Sequence, residues 1–468
     1  MESKKKNNFG SLTESIGKFD LRNKIVLIPA MNRTASHLIA ATFKGFGIQA
    51  EVLETYKGLD LGKKYTSGKE CFPCQITLGD ILYFLKKEKN KLGDFFNPEN
   101  YLYFLPTADG PCRFGMYNKY QRMVLDTFPG LDKLRIASLT TRDGYSLEGL
   151  IEEERSLDFR KASYLAAVVA DVLDRLQWRI RPYEKQEGST DEFIERSRGV
   201  MATTIEAYSF RKEFDKILDK LEGIIKEGTT LIDPAISAKP LIGIVGEIFL
   251  RMHVAANQDL IRVLERHGAE VVNASLAEWV NYISYDRIKS AKYDFRLNLN
   301  QLNFASSKRY LKSIIKFKAD LLYQEYRQKQ VYKRVKRLVD LVEDHKIAHL
   351  ERILEKDDIY SFHLGTEACL SIATVVDCAR TGYNGMVNVF PFTCMPSMTT
   401  SAIVKPLMKK MRIPYLDVSY DSSIQPGREA TIRTFMHQSY QHFQRYGNIR
   451  ANSNCKISAR KNLSVLTE

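Results

Sequence analysis

KIVLIPAMNRTASHLIAATFKGFGIQAEVLE, residues 24–54, is the stretch that decides the fold class. Its first apolar run, KIVLIPA, reads as a strand. A polar loop with small residues follows, then an amphipathic helix that stops at Gly47, then a second apolar run. Strand, loop, helix and strand in this order make a βαβ unit, whose strands are parallel. The same order recurs at residues 240–274, PLIGIVGEIFLRMHVAANQDLIRVLERHGAEVVNA, where Gly268 ends the helix. It recurs again at residues 385–421, GMVNVFPFTCMPSMTTSAIVKPLMKKMRIPYLDVSYD, where Pro414 follows the helix. A fourth strand-like run, ENYLYFLPT, ends at Thr107. The three segments share little sequence, so they share an architecture without showing a duplication. The expected fold is α/β, with parallel sheets covered by helices.

A chain of 468 residues is too long for one core; roughly two to four domains of about 100–200 residues are expected. Residues 1–23 read as a flexible N-terminal segment and 24–150 as an α/β domain holding Cys71, Cys74 and Cys112. Residues 151–235 read as mainly helical, 236–345 as a second α/β unit followed by a basic helical segment, and 346–448 as an α/β domain with Cys394. Residues 449–468 read as a flexible tail. No run of about 18 apolar residues is present, so no transmembrane helix is expected. The first twenty residues are basic but lack the apolar core of a signal peptide. The expectation is a cytoplasmic protein whose thiols stay reduced, and whose seven cysteines are ligands or core residues instead of a disulfide framework.

The net charge of +14 is concentrated. Residues 287–337 hold fifteen Lys and Arg against three acids, Asp294, Asp320 and Glu325. The stretch KRYLKSIIKFKADLLYQEYRQKQVYKRVKRLVDLV reads as a helix with Tyr, Leu, Ile and Val among the bases. Such a helix is a solvated face with its aromatics packed inward, a docking surface, a site for an anionic cofactor, or a nucleic-acid contact. No recognisable nucleic-acid motif accompanies it.

Four cysteines fall at one kind of place. Cys71 and Cys74 lie in ECFPCQITLGDILYF, where a helix begins near Pro73. Cys112 lies in FLPTADGPCRFGMY and Cys394 in VNVFPFTCMPSMTT, each after a strand and before a helix. In open parallel sheets, ligands bind beyond the carboxyl ends of the strands, near helix N-termini. Those termini offer free N–H groups and a positive dipole end, which favour thiolates and anionic clusters. The four are a metal or cluster site, a Cys71–Cys74 redox pair, or separate buried thiols. Zinc is weakly indicated, because only one short Cys pair is present and zinc ribbons use two. Cys369 and Cys378 lie in TEACLSIATVVDCAR, a helix of small and apolar residues, and read as core thiols. Cys455 lies in the unpatterned tail and is set aside. His37, His253 and His363 show no paired ligand spacing and read as ordinary residues. Gly243 and Gly246 in GIVGEI read as tight strand-to-helix packing. Glu247 beside them either faces a cleft or offsets a helix dipole.

The set KIVLIPAMN, KECFPCQITLGD, GPCRFGMY, VGEIFLRMHVAANQDLIRVLERHGAEVV and GMVNVFPFTCMPSMTTSAIV…YDSS…TFMHQ resembles one family over residues 24–438. It is similar to the CoA-substrate-specific enzyme activase-related proteins of the 2-hydroxyacyl-CoA dehydratase and double-cubane cluster group. The resemblance implies Rossmann-like domains around an interdomain cleft. It implies a [4Fe–4S] or related iron–sulfur cluster held by Cys71 or Cys74 or both, with Cys112 and Cys394. Gly110, Arg113 and Thr393 would flank these ligands; Arg113 would offset cluster charge or bind an anionic substrate, unless it forms a surface ion pair. The implied role is an electron-transfer or reductase component. The glycine-rich phosphate loops of the ATPase module are not found, so a separate ATPase activase subunit would be the partner, in a homo- or hetero-oligomer. The alternatives are a catalytic subunit of a 2-hydroxyacyl-CoA dehydratase-like enzyme, binding an acyl-CoA, and a zinc-binding or scaffold protein.

Overall fold

The computed structural model describes residues 15–108, 110–147 and 151–450. Much of the two expected flexible ends, and Cys455, lie outside these residues. The chain forms two compact units. The first comprises Met1–Asp171, Ser197–Glu222 and Trp279–Lys333; the second comprises Val172–Arg196, Gly223–Glu278 and Arg334–Glu468. Both are α/β, and each is built on one wholly parallel sheet.

The first unit holds β1 (Ile16–Gly17), β2 (Ile25–Ile28), β3 (Ala50–Val52), β4 (Tyr101–Phe104) and β5 (Arg135–Ala137), in the order β1-β5-β4-β2-β3. Val26 pairs with Ala50 on one side and Leu102 on the other, so β2 is central and apolar throughout. Helix α1 (Arg33–Gly45) crosses from β2 to β3. Asn32 caps it by accepting from the Ala35 N–H at 2.7 Å. Two helices, α2 (Leu59–Lys64) and α3 (Phe72–Leu92), lie between β3 and β4, and α4 (Tyr117–Leu125) lies between β4 and β5. Leu27, Leu78, Ile81, Tyr103, Leu125 and Ile136 form a core cluster that also takes in Cys71 and Cys74.

The stretch read as mainly helical contains α5 (Glu153–Ile180), α6 (Ser189–Tyr208) and α7 (Phe214–Thr229). The second unit's sheet comprises β6 (Leu241–Gly246), β7 (Glu270–Asn273), β8 (Gly385–Pro391) and β9 (Tyr415–Tyr420), in the order β7-β6-β8-β9. The strands of residues 236–345 and of 346–448 therefore belong to one sheet, through the β6–β8 pairing of Ile242 with Gly385 through Gly246 with Val389. Helices α8 (Ile248–Met252) and α9 (Leu260–Arg266) join β6 to β7. Between β7 and β8 come α10 (Leu276–Asn300), α11 (Phe304–Val335), α12 (Ile347–Lys356) and α13 (Thr366–Thr381). Helix α14 (Met395–Met411) joins β8 to β9, and α15 (Arg428–Tyr446) follows. Gly243 and Gly246 serve close packing of strand on strand, where strand on helix was expected: a Cβ on Gly246 would stand 2.1 Å from the Val389 carbonyl, and one on Gly243 would stand 2.6 Å from the Met386 side chain, both on β8. Among the described residues no helix is long and apolar enough to cross a membrane.

Candidate functional site at the cysteine loops

Strand order singles out one place in each sheet. From β2 the chain runs outward to β3, then returns past β2 to β4, so the order reverses between β2 and β4. The second sheet does the same between β6 and β8. At such a reversal the loops leaving the two strands diverge and open a crevice beyond their carboxyl ends, where ligands bind. The loop after β4 carries Cys112, and the loop after β8 carries Cys394. The two cysteines thus hold equivalent positions in their own units.

In the first unit the segment that carries Cys71 and Cys74 is tied to the Cys112 loop and the helix after it, for identifiable reasons. Helices α2 and α3 pack backbone to backbone. A Cβ on Gly58 would meet the Gly79 carbonyl at 2.0 Å, and one on Gly62 would meet the Gln75 carbonyl at 1.9 Å. This contact fixes the segment that leads into Cys71. The Gln75 amide donates to the Thr66 hydroxyl at 2.8 Å and holds the same segment from the other end. Cys71 is the N-cap of α3, with φ +92°, a backbone conformation that residues with a side chain rarely adopt. Pro73 occupies the first turn, where its missing N–H costs nothing. The Cys112 loop is tied to this start by the Arg113 guanidinium, which donates to the Lys69 carbonyl at 2.8 Å. Helix α4, which follows Cys112, supplies Tyr120, whose hydroxyl donates to the Tyr65 carbonyl at 2.6 Å. It also supplies Gln121, whose amide reaches the Thr77 hydroxyl at 2.7 Å and the Cys74 sulfur at 4.0 Å. Cys112 caps its own short helical turn, accepting from the Phe114 N–H at 3.5 Å.

The three thiols differ in access. Cys112 is half-buried, Cys71 is buried, and Cys74 is fully enclosed in the core. Burial drives the Cys74 thiol far above its usual range, and the Gln121 amide opposes this only in part.

In the second unit Cys394 caps α14, and Pro396 stands in the first turn. Cys71-Phe72-Pro73 and Cys394-Met395-Pro396 place the same Cys-x-Pro sequence at a helix start, but Cys394 has an ordinary φ of -69° where Cys71 has +92°. The residue before Cys394, Thr393, has φ +61°, and Gly110 near Cys112 has φ +101°. Burial pushes the Cys394 thiol up to about 12, with the Glu247 and Glu367 carboxylates adding to the rise. Glu247 follows β6 and caps α8, accepting from the Phe249 and Leu250 N–H groups at 3.0 and 2.9 Å. Of its two sequence readings, the helix-terminal one is realised. Burial, then the Glu367 charge, pushes the Glu247 carboxyl up to about 7.

Cys369 and Cys378 are buried on α13, as read, and Cys369 donates to the Gly365 carbonyl at 3.2 Å. The histidines are local. His37 bonds the Arg33 carbonyl at 2.7 Å. His253 is buried against Phe249, accepts from the Ala256 N–H at 3.0 Å, and is pushed down to about 4 by burial. His363 is exposed. Sequence reading missed Gln121 over Cys74 and Glu367 near Cys394. It also missed the glycine clamp, whose signal was the trio Gly58, Gly62 and Gly79.

The donor set is thiols at helix N-termini, which suits a cluster of iron and sulfide. Among the described residues no group of three or more His, Cys, Asp or Glu side chains could hold a metal ion. No family model matches the chain, and no curated protein matches it, so the resemblance rests on the quoted motifs.

Proposed function

We propose that this chain is the cluster-bearing, electron-handling companion of a separate ATPase activase, built on two Rossmann-like sheets. The observation that supports this most is the set of three thiols, Cys71, Cys74 and Cys112, held at the carboxyl ends of one parallel sheet by a strained cap and a guanidinium tie. Cys394 repeats the Cys-x-Pro sequence at a helix start in the other unit. These four are the candidate ligands. When bound, a [4Fe–4S] cluster accepts and passes on single electrons.

The chain's own contribution is to hold the thiols and supply positive potential. Cys71 stands at the positive end of the helix it starts, where a thiolate would be favoured, whereas burial holds the Cys74 thiol in its neutral form. Arg113 fixes the Cys112 loop, and Gln121 holds the Cys74 sulfur by a weak hydrogen bond. The enclosure of Cys74 keeps water from its sulfur.

Single Cys→Ala variants test the ligand set. With the protein purified without oxygen, iron per chain is expected to fall in Cys71→Ala, Cys112→Ala and Cys394→Ala and to persist in Cys369→Ala. Equal iron in all four, or zinc in place of iron, contradicts the reading.

A further inference from the structure

Helix α11 is packed on one face and bare on another. Its packed face carries Ser307, Val331 and Tyr332, which are buried, and Ile314, Phe317 and Leu321, which are half-buried. Arg160 pairs with Asp320 at 2.5 Å, and Arg287 lies over the Phe317 ring. The other face carries Phe304, Leu311, Ile315, Leu322 and Tyr326, exposed by between 46% and 67%. Exposed single apolar residues are ordinary, but these five are in line. Their spacing is seven, four, seven and four residues. At about 100° per residue they fall within one narrow strip, roughly 33 Å long. That is an eleven-residue repeat, which keeps one seam facing a partner helix in a nearly straight or slightly right-handed pair. Exposed lysines accompany the strip: Lys308, Lys312, Lys318, Lys329 and Lys333.

We propose that this strip of α11 is a docking surface for an acidic amphipathic helix of another protein. Charge selects the occupant. A second copy of the chain would set lysine against lysine along the seam. A membrane-bound helix needs a broad apolar face, wider than two residues per seven. Nucleic acid would use aromatic platforms, whereas three of the five are aliphatic. An acidic amphipathic helix with the same eleven-residue repeat matches both features: its apolar positions fill the strip and its carboxylates meet the lysines. All these residues belong to the first unit, and the proposal stands whether or not a cluster is bound.

The test uses the full chain and two fluorescent helical peptides with Leu spaced alternately seven and four residues apart along one seam, one flanked by Glu and its twin flanked by Lys. The acidic peptide is expected to bind and the basic twin not. Ile315→Asp with Leu322→Asp is expected to weaken binding at least about tenfold, roughly 1.4 kcal/mol. Because both residues are exposed, circular dichroism and melting should be unchanged. Lys308→Glu, Lys312→Glu and Lys318→Glu together should exchange the preference, so that the basic twin binds. Equal binding of the two peptides, or of neither, overturns the proposal. So does self-association, anionic-vesicle binding or duplex binding that the Ile315→Asp, Leu322→Asp pair abolishes while the peptides stay unbound.

Discussion

A methyl group added at Gly79 would stand 2.2 Å from the Gly58 carbonyl, so α2 and α3 can meet only if both positions lack a side chain. Gly79→Ala is expected to destabilise by about 1–3 kcal/mol, the usual cost of forcing atoms into a filled contact. Gly223→Ala is expected to do the reverse. Gly223 is exposed within α7 and has open space where a Cβ would go. There the better helix propensity of alanine adds about 0.5–1 kcal/mol. Urea titration of the two variants gives both signs. The cysteines allow a second check at this scale. In a Cys455→Ser background without metal, a brief alkylation pulse should mark Cys112 first. Cys74, Cys369 and Cys378 should stay unmarked until the chain unfolds, because burial denies access and keeps Cys74 and Cys378 protonated. Early labelling of Cys74 would contradict its placement in the core.

Among the elements, the helix starts and strands with long periodic patterns were legible. The βαβ segments gave β2, β3, β6, β7, β8 and β9, and ENYLYFLPT gave β4. Strands β1 and β5 have two and three residues, too short for an alternation to register. The β6–β8 pairing was hidden as well, since no local pattern names a partner strand more than a hundred residues away. That pairing is what places Cys394 at a reversal of strand order, so the cysteine loops could be read but their equivalence could not. A tie invisible in sequence links α10, α12 and α13. His345, just before α12, stands 3.1 Å from the Asp377 carboxylate on α13 and 3.4 Å from that of Glu278 on α10. Burial opposes its charge, but the two carboxylates win and raise it to about 10. A raised folded-state value means the stabilisation is complete below the unfolded value of about 6.5 and disappears as pH climbs through about 10. The stability gap between wild type and His345→Gln should therefore be widest near about pH 6 and shrink by about pH 9. A gap independent of pH would remove the charged pair from the account.

For the whole molecule, two parallel-sheet units each carry a cysteine loop at the same turn of the chain, and a lysine-flanked apolar strip lies on a helix of the first. The basic segment was legible as a basic helix with apolar residues interleaved. Its exposed strip became visible only when the structure showed which helix face was already packed, because the sequence offers apolar residues on both sides of α11. The central claim is that the thiols hold iron and sulfide. Its most direct measurement is iron and acid-labile sulfide per chain on protein purified without oxygen, with an electron paramagnetic resonance spectrum after dithionite reduction. The account predicts about four iron and four sulfide per chain and a signal from a reduced [4Fe–4S] cluster. Protein that retains reduced, alkylatable thiols but carries no iron after anaerobic reconstitution would contradict it.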